Sequence, residues 1–301
     1  MLDLLIDTDA GIDDLLSISF LLTQPNVNIT AITIVNGLAH PDAGAANVLR
    51  LLQLTNRLDI PVYLGAQKPL PGGTDFPEEW RKTADTLPGV TLPSTTGVPK
   101  AGAVEFLADR FSSSSLVTLL ALGPHTNLAE ALALNEGDIS GVDRMIMMGG
   151  AVLVEGNVTG HNDKKAEWNV FEDPDAAFSV FESGMRISMV PLDATQFVRI
   201  GQLFLDTAEK FTSPLGQVVF QLLSLGYASN DKDYFAWDPL AAVSVVAPSV
   251  VVDSQVLGIE IVTVPPEVGR TKENSAIPNK VQVATRASAD KFRDVFLASF
   301  S

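Results

Sequence analysis

Short apolar runs rich in Leu, Ile and Val alternate along this chain with segments whose apolar positions recur every three or four residues. The first pattern suits a strand buried on both faces, the second a helix with one apolar side. On that basis residues 4–7 are predicted as a strand, 13–23 as a helix, 29–35 as a strand, 42–54 as a helix and 61–64 as a short strand. The rhythm resumes beyond residue 100, with helices predicted over 104–111, 127–134 and 174–181 and strands over 116–122, 144–148 and 187–190. Such a βαβα order predicts an α/β fold: a mostly parallel, Rossmann-like open sheet covered by helices on both faces, with ligands beyond the carboxyl ends of the strands.

Two stretches break the rhythm. Residues 69–100 hold many Pro, Gly and Thr residues, and residues 150–170 are polar and contain several glycines. Loops of this length inside a compact domain are more often functional than idle. No repeat or linker divides the 301 residues, so 1–301 is read as one domain. At the N-terminus Asp3 interrupts the apolar run and no basic region precedes it, unlike a secretory signal. Residues 240–252 are broken by Ser244, Pro248 and Ser249 and fall short of the ~20 residues a membrane helix needs. A cytoplasmic protein with no membrane partner is predicted.

Charge narrows the partners further. The chain carries 36 acidic and 20 basic residues, a net charge of −16. That balance disfavours nucleic acid, because binding to phosphates needs a basic patch. Cys is absent, which removes disulfides, thiolate metal sites and a Cys nucleophile together. With only three histidines, His40, His125 and His161, any metal is expected to be hard and oxygen-bound.

Residues 7–14 read Asp7-Thr8-Asp9-Ala10-Gly11-Ile12-Asp13-Asp14, four carboxylates at the exit of a buried strand. If the strand persists to Asp9, then Asp7 and Asp9 point the same way. Gly11 permits a tight turn, and Asp13 and Asp14 fall at the start of the next helix, where the helix dipole favours anions. All four then converge on one small volume. Their repulsion raises their pKa values unless a cation intervenes, and the oxygen-only donor set suits Ca²⁺ or Mg²⁺. A DxD pattern after a strand also resembles the haloacid-dehalogenase phosphatases, with Asp7 as nucleophile. Gly11, however, stands where that motif usually has Thr or Val, and the following Asp pair is foreign to it.

The chain also resembles the nucleoside hydrolase family. The residues that carry this are DTDAGIDD over 7–14, Asp59-Ile60-Pro61-Val62 with Gly65-Ala66, and Leu122-Gly123-Pro124-His125-Thr126-Asn127. Met148-Gly149-Gly150-Ala151, Gly156-Asn157, Ala166-Glu167-Trp168-Asn169 with Asp173-Pro174, and Trp237-Asp238-Pro239 follow in order. The resemblance implies calcium-dependent hydrolysis of the N-glycosidic bond of ribonucleosides. Asp9, Asp14, Asp238 and the main-chain carbonyl of Leu122, with Thr126 the second choice, would hold Ca²⁺, and Asp9 would also act as general base. Asp13 and Asn169 would bond the ribose hydroxyls, Asn157 and Glu167 would reach the 5′-hydroxyl, Met148 would line the pocket and Asp7 would support the loop from behind. A homodimer or homotetramer is the family's usual assembly.

The chain departs from the family pattern at three places. Trp237 stands where broad-range members commonly have His. It matches instead the indole that purine-preferring members stack on the leaving base, with Trp80 in the position of the second such indole, so purine nucleosides are slightly favoured. Asn36-Gly37-Leu38 replaces the usual Gly-Asn, and Asn36 is the remaining candidate there for a substrate contact. His125 replaces a more usual Leu and is read as a buried histidine. His40 and His161 in loops are candidates for an acid near the base, and Tyr227 and Tyr234 for base contacts. A nucleoside-binding protein without catalysis is the third reading, beside the hydrolase and the phosphatase.

Overall fold

The alternation closes into one sheet in a computed structural model that describes residues 1–160 and 164–301. His161 lies outside the described residues. The strands in chain order are β1 (Leu2–Thr8), β2 (Val27–Ile34), β3 (Val62–Leu64), β4 (Lys100–Ala101) and β5 (Val117–Ala121), then β6 (Val142–Met148), β7 (Ile187–Val190), β8 (Val251–Ile261), β9 (Thr271–Glu273) and β10 (Lys280–Ala287). They lie side by side in the order β4-β3-β2-β1-β5-β6-β7-β10-β8-β9. Pairing is parallel from β4 through β10, while β8 is antiparallel to both β10 and β9. The mostly parallel α/β sheet predicted from the pattern is therefore what the chain forms.

Strand β1 shows why. Leu4 and Ile6 pack into the apolar cluster on one face, and Leu5 packs into the cluster on the other, so an uninterrupted apolar run is what a central parallel strand requires. The helices are α1 (Ile12–Leu22), α2 (Pro41–Leu54), α3 (Glu78–Thr86), α4 (Ala103–Phe111), α5 (Thr126–Leu134) and α6 (Trp168–Glu172). They continue as α7 (Pro174–Glu182), α8 (Leu192–Thr195), α9 (Gln202–Ala208), α10 (Pro214–Ser229), α11 (Trp237–Val246) and α12 (Ala289–Ala298). The strand order reverses at β1 and β5: β2, β3 and β4 extend one way and β5, β6 and β7 the other. Ligands of open parallel sheets bind beyond the strand ends at such a switch point.

Two regions go beyond the sequence pattern. The loop predicted over 69–100 contains α3, whose buried residues are Arg81 and Ala84. A helix with so small an apolar face leaves little periodic signal. Past residue 200 the chain adds α9, α10, α12 and the antiparallel strands. Most of β8 is exposed through Val256, so its composition does not read as a buried strand.

Candidate active site

A cavity of about 520 Å³ opens at the switch point. Its floor is built by the turn that leaves β1. Ala10 adopts a left-handed backbone (φ 55°), and Gly11 caps α1. The Gly11 N–H donates to Asp14 Oδ2 at 3.0 Å, the Thr8 hydroxyl donates to Asp14 Oδ1, and the Ala10 N–H donates to Thr8 Oγ1 at 3.0 Å. These bonds aim the Asp14 carboxylate back over the strand end. Asp9 lies beside them, its Oδ2 accepting the Leu38 N–H at 2.6 Å. Gly37 is obligatory here, because a Cβ would collide with the Asp9 carboxylate.

Asp238 arrives in the first turn of α11. Oxygen atoms of Asp13, Asp14 and Asp238 lie within 4.8 Å of one another, and Asp9 and Asp238 both contact the Asp14 carboxyl. Burial, above all, raises the pKa of all four. Carboxylate neighbours add to this at Asp13, which is pushed up to about 7, and at Asp14 and Asp238, which lie well above the usual range. Buried like charges of this density fit a hard divalent cation, which would satisfy their oxygens and remove their repulsion. The closest trio includes Asp13, which the sequence reading placed on the ribose, while Asp9 sits at its edge.

Asn169, Glu167 and Asn157 line the opposite wall. The Asn169 amide donates to the carbonyls of Leu122 at 2.9 Å and Met148 at 3.3 Å, which fixes its orientation. Glu167 caps α6. Its oxygens accept the Asn169 N–H at 3.0 Å and the Gly150 N–H at 2.8 Å, and burial pushes its carboxyl up to about 7. Leu122 and Met148 also line the cavity, whereas Thr126 is buried away from it and donates to Asp173 at 2.6 Å.

All three tryptophans, Trp80, Trp168 and Trp237, reach the cavity. Trp168 stacks on Phe76 with centroids 5.0 Å apart and meets Trp80 edge-on at 5.4 Å. Trp237 meets Tyr234 edge-on at 5.5 Å. Glu79, Thr83, Ser229 and Asn230 complete the rim; sequence reasoning missed them because their own segments carry no motif.

Several candidates lie elsewhere. Asp7 is separated from the other three carboxylates: β1 ends at Thr8, and Asp7 stays within the strand, accepting from Asn127 at 2.8 Å and Thr33 at 2.5 Å. Convergence of all four carboxylates is thereby corrected. Asn36 is also corrected: it does not line the cavity, and its amide is engaged by Arg81, Asp75 and Glu172. His125 is fully buried and pushed down to about 4 by that burial. His40 pairs with Asp85 at 2.7 Å, Tyr234 is buried behind Gly226, and Tyr227 packs on the core.

A Rossmann-like sheet with clustered carboxylates, amides and aromatic rings lining a cavity at the switch point is the frame of an α/β enzyme site. The chain belongs to the inosine-uridine preferring nucleoside hydrolase family, which matches residues 4–294. It is 35% identical over 243 residues to the pyrimidine-specific ribonucleoside hydrolase RihA of Klebsiella pneumoniae (strain 342), covering 79% of this chain and 76% of that one. The RihA of Escherichia coli O1:K1 / APEC is 36% identical over 246 residues, with the same coverage. Among solved structures, the plant nucleoside hydrolase PpNRh1 superposes with a TM-score of 0.87 at 26% identity, over 99% of this chain and 98% of that one. The inosine-uridine preferring nucleoside hydrolase of Bacillus anthracis gives 0.84 at 26% identity over the full length of both. The resemblance read from the ordered segments holds, and the protein is a nucleoside N-ribohydrolase acting on small-molecule nucleosides. The phosphatase reading falls, since Asp7 is also walled off from the cavity. Among the described residues no helix is long and apolar enough to cross a membrane.

Proposed function

We propose that the cavity is a calcium-dependent ribonucleoside hydrolase site in which Asp9 is the general base. The observation that carries this is the meeting of Asp9, Asp13, Asp14 and Asp238 with Asn157, Glu167 and Asn169 in one cavity. Ca²⁺, held by Asp9, Asp14, Asp238 and the Leu122 carbonyl, and with Asp13 within reach of the same cluster, would supply the acidity that makes a water nucleophilic at neutral pH.

The chain's own groups do the rest. The Leu38 N–H holds the Asp9 carboxylate in the cavity, where it takes the proton of the attacking water. Asp13 and Asn169 bond the ribose hydroxyls, and Asn157 and Glu167 bond the 5′-hydroxyl. Cleavage passes through an oxocarbenium-like centre, which the surrounding carboxylates stabilise electrostatically. Met148 closes the floor under the sugar. Trp237 and Trp80 flank the base, and an aromatic wall of this extent favours a purine. The pyrimidine specificity named for the RihA relatives supports a second reading, with pyrimidine ribonucleosides preferred.

Base release from a panel of purine and pyrimidine ribonucleosides, with and without chelator, tests both. Calcium-restored activity with the highest kcat/KM on purines is the expected result. Activity indifferent to chelation overturns the metal role, and a pyrimidine preference selects the second reading.

A further inference from the structure

The wall that carries Trp80 is weakly attached to the rest of the molecule. Helix α3 has nine residues and buries only Arg81 and Ala84, whereas Glu79, Trp80, Thr83 and Ala84 all line the cavity. Apolar packing cannot by itself fix a helix this short and this polar. Its C-terminal end is tied to α2: Asn47 donates to the carbonyls of Ala84 and Asp85 at 3.2 and 3.0 Å, and His40 meets the Asp85 carboxylate.

The part that bears Trp80 is held differently. Arg81 is only 4% exposed. It donates through one nitrogen to Asn36 Oδ1 at 2.7 Å and through another to Asp75 Oδ1 at 3.0 Å. The Asn36 amide in turn donates to Asp75 at 2.9 Å and to the buried Glu172 at 2.7 Å. The guanidinium therefore ties α3 to the loop after β2 and to the segment just before α3, and the Asn36 amide carries the connection on to Glu172 at the end of α6. The same loop donates the Leu38 N–H to Asp9. Asp75 precedes Phe76, which stacks on Trp168.

We propose that Arg81 is a positioning residue for base binding: its two-pronged clamp on Asn36 and Asp75 seats α3 so that Trp80 stands against the base. In this arrangement Asn36 is the anchor of the clamp and has no contact with substrate. The unusual Asn36-Gly37-Leu38 segment is thus matched by Arg81 and Glu172, which complete the clamp. The inference rests on the nucleoside hydrolase reading of the cavity.

The test uses R81A in the full-length, calcium-replete enzyme. Two quantities are measured: KM and kcat for the best-hydrolysed nucleoside of the panel, and the affinity of its product base from quenching of tryptophan emission. The KM should rise and the base affinity should fall by about tenfold, as expected for loss of charge-assisted hydrogen bonds, with a smaller change in kcat. Added guanidinium ion should restore KM, urea at the same concentration should not, and R81K should rescue little because an ammonium lacks the planar fork. The double variant R81A/N36A should be no worse than R81A.

Unchanged KM and base affinity in R81A, with only a lower Tm, would overturn the positioning role. Multiplying KM effects in the double variant would make Asn36 a substrate contact and overturn the anchor assignment. If R81A fails to fold, D75A removes one arm at a half-exposed position. It should raise KM severalfold, and a wild-type KM there overturns the proposal. If the wild type hydrolyses no nucleoside, the functional reading fails, and the titration of R81A with purine and pyrimidine bases still decides the clamp.

Discussion

Asp9 is constrained from several sides. Leu38 bonds one of its oxygens, Gly37 packs against its carboxylate, and a Cβ on Gly123 would lie 2.9 Å from its main-chain nitrogen. An Asn side chain fits the same space and still accepts from Leu38, so D9N should fold with an unchanged or higher Tm. It should lose about 10²–10⁴ in kcat, the usual worth of a general base; near-wild-type base release would remove Asp9 from that role. His125 carries a different expectation. Its ring is buried and both nitrogens lack partners among the described residues, and that burial pushes it down to about 4 from an ordinary 6.5. Between those values the unfolded chain binds a proton that the folded chain refuses, so the stability contribution is lost as pH falls from 6.5 towards 4. The loss amounts to about 3 kcal/mol by linkage. Denaturant melts at pH 7.5 and 5 should show H125L losing less stability than wild type on acidification; equal losses would refute this. At this scale the sequence was legible where residues are adjacent. Asp9, Asp13 and Asp14 lie within one turn of chain, and the resemblance supplied Asp238. The Arg81–Asn36–Glu172 clamp was not legible, because its members are separated by 45 and 136 positions and each alone reads as an ordinary polar residue.

Helix α3 and the segment 166–172 both line the cavity, and they meet through Trp80 and Trp168. Trp80 is 48% exposed and touches Trp168 only by its edge, so its removal leaves no enclosed void. W80A should therefore shift Tm little while raising KM about two- to tenfold, the range expected for one lost aromatic contact. An unchanged KM would show that Trp80 does not flank the base. The elements predicted from periodicity were those with a strong apolar pattern. β1 and β5 are buried on both faces, and α2 presents a regular apolar stripe of Val48, Leu49, Leu51 and Leu52. Helix α3 escaped because its buried face consists of an Arg and an Ala. The antiparallel β8 and β9 escaped because β9 is a three-residue edge strand and the first half of β8 is exposed, so that neither alternation nor an apolar run survives there.

Across the whole molecule, burial of clustered carboxylates opposes folding, and a divalent cation bound among them would offset that cost. The chain is already at −16, so no surplus of basic residues relieves the repulsion. Without the ion, Asp13 and Glu167 are pushed up to about 7. Groups raised in the folded state bind protons there that the unfolded chain releases, so their contribution is present below the ordinary carboxylate value and is lost as pH rises through about 7. Chelated protein should then melt at a lower temperature at pH 8 than at pH 6, while the calcium-replete protein shows a smaller pH dependence. The gap between the two forms should thus widen by several degrees on going to pH 8. The His125 contribution is common to both forms and drops out of the difference. Calcium should close the gap more fully than magnesium, since its flexible coordination sphere suits a cluster mixing carboxylates with a main-chain carbonyl. Melting temperatures insensitive to chelator at both pH values would mean that the carboxylates hold their geometry by proton sharing alone, as the contacts of Asp14 with Asp9 and Asp238 would allow. Under that outcome the attacking water would have to be activated by Asp9 without help, and D9N would be the more damaging change at every pH.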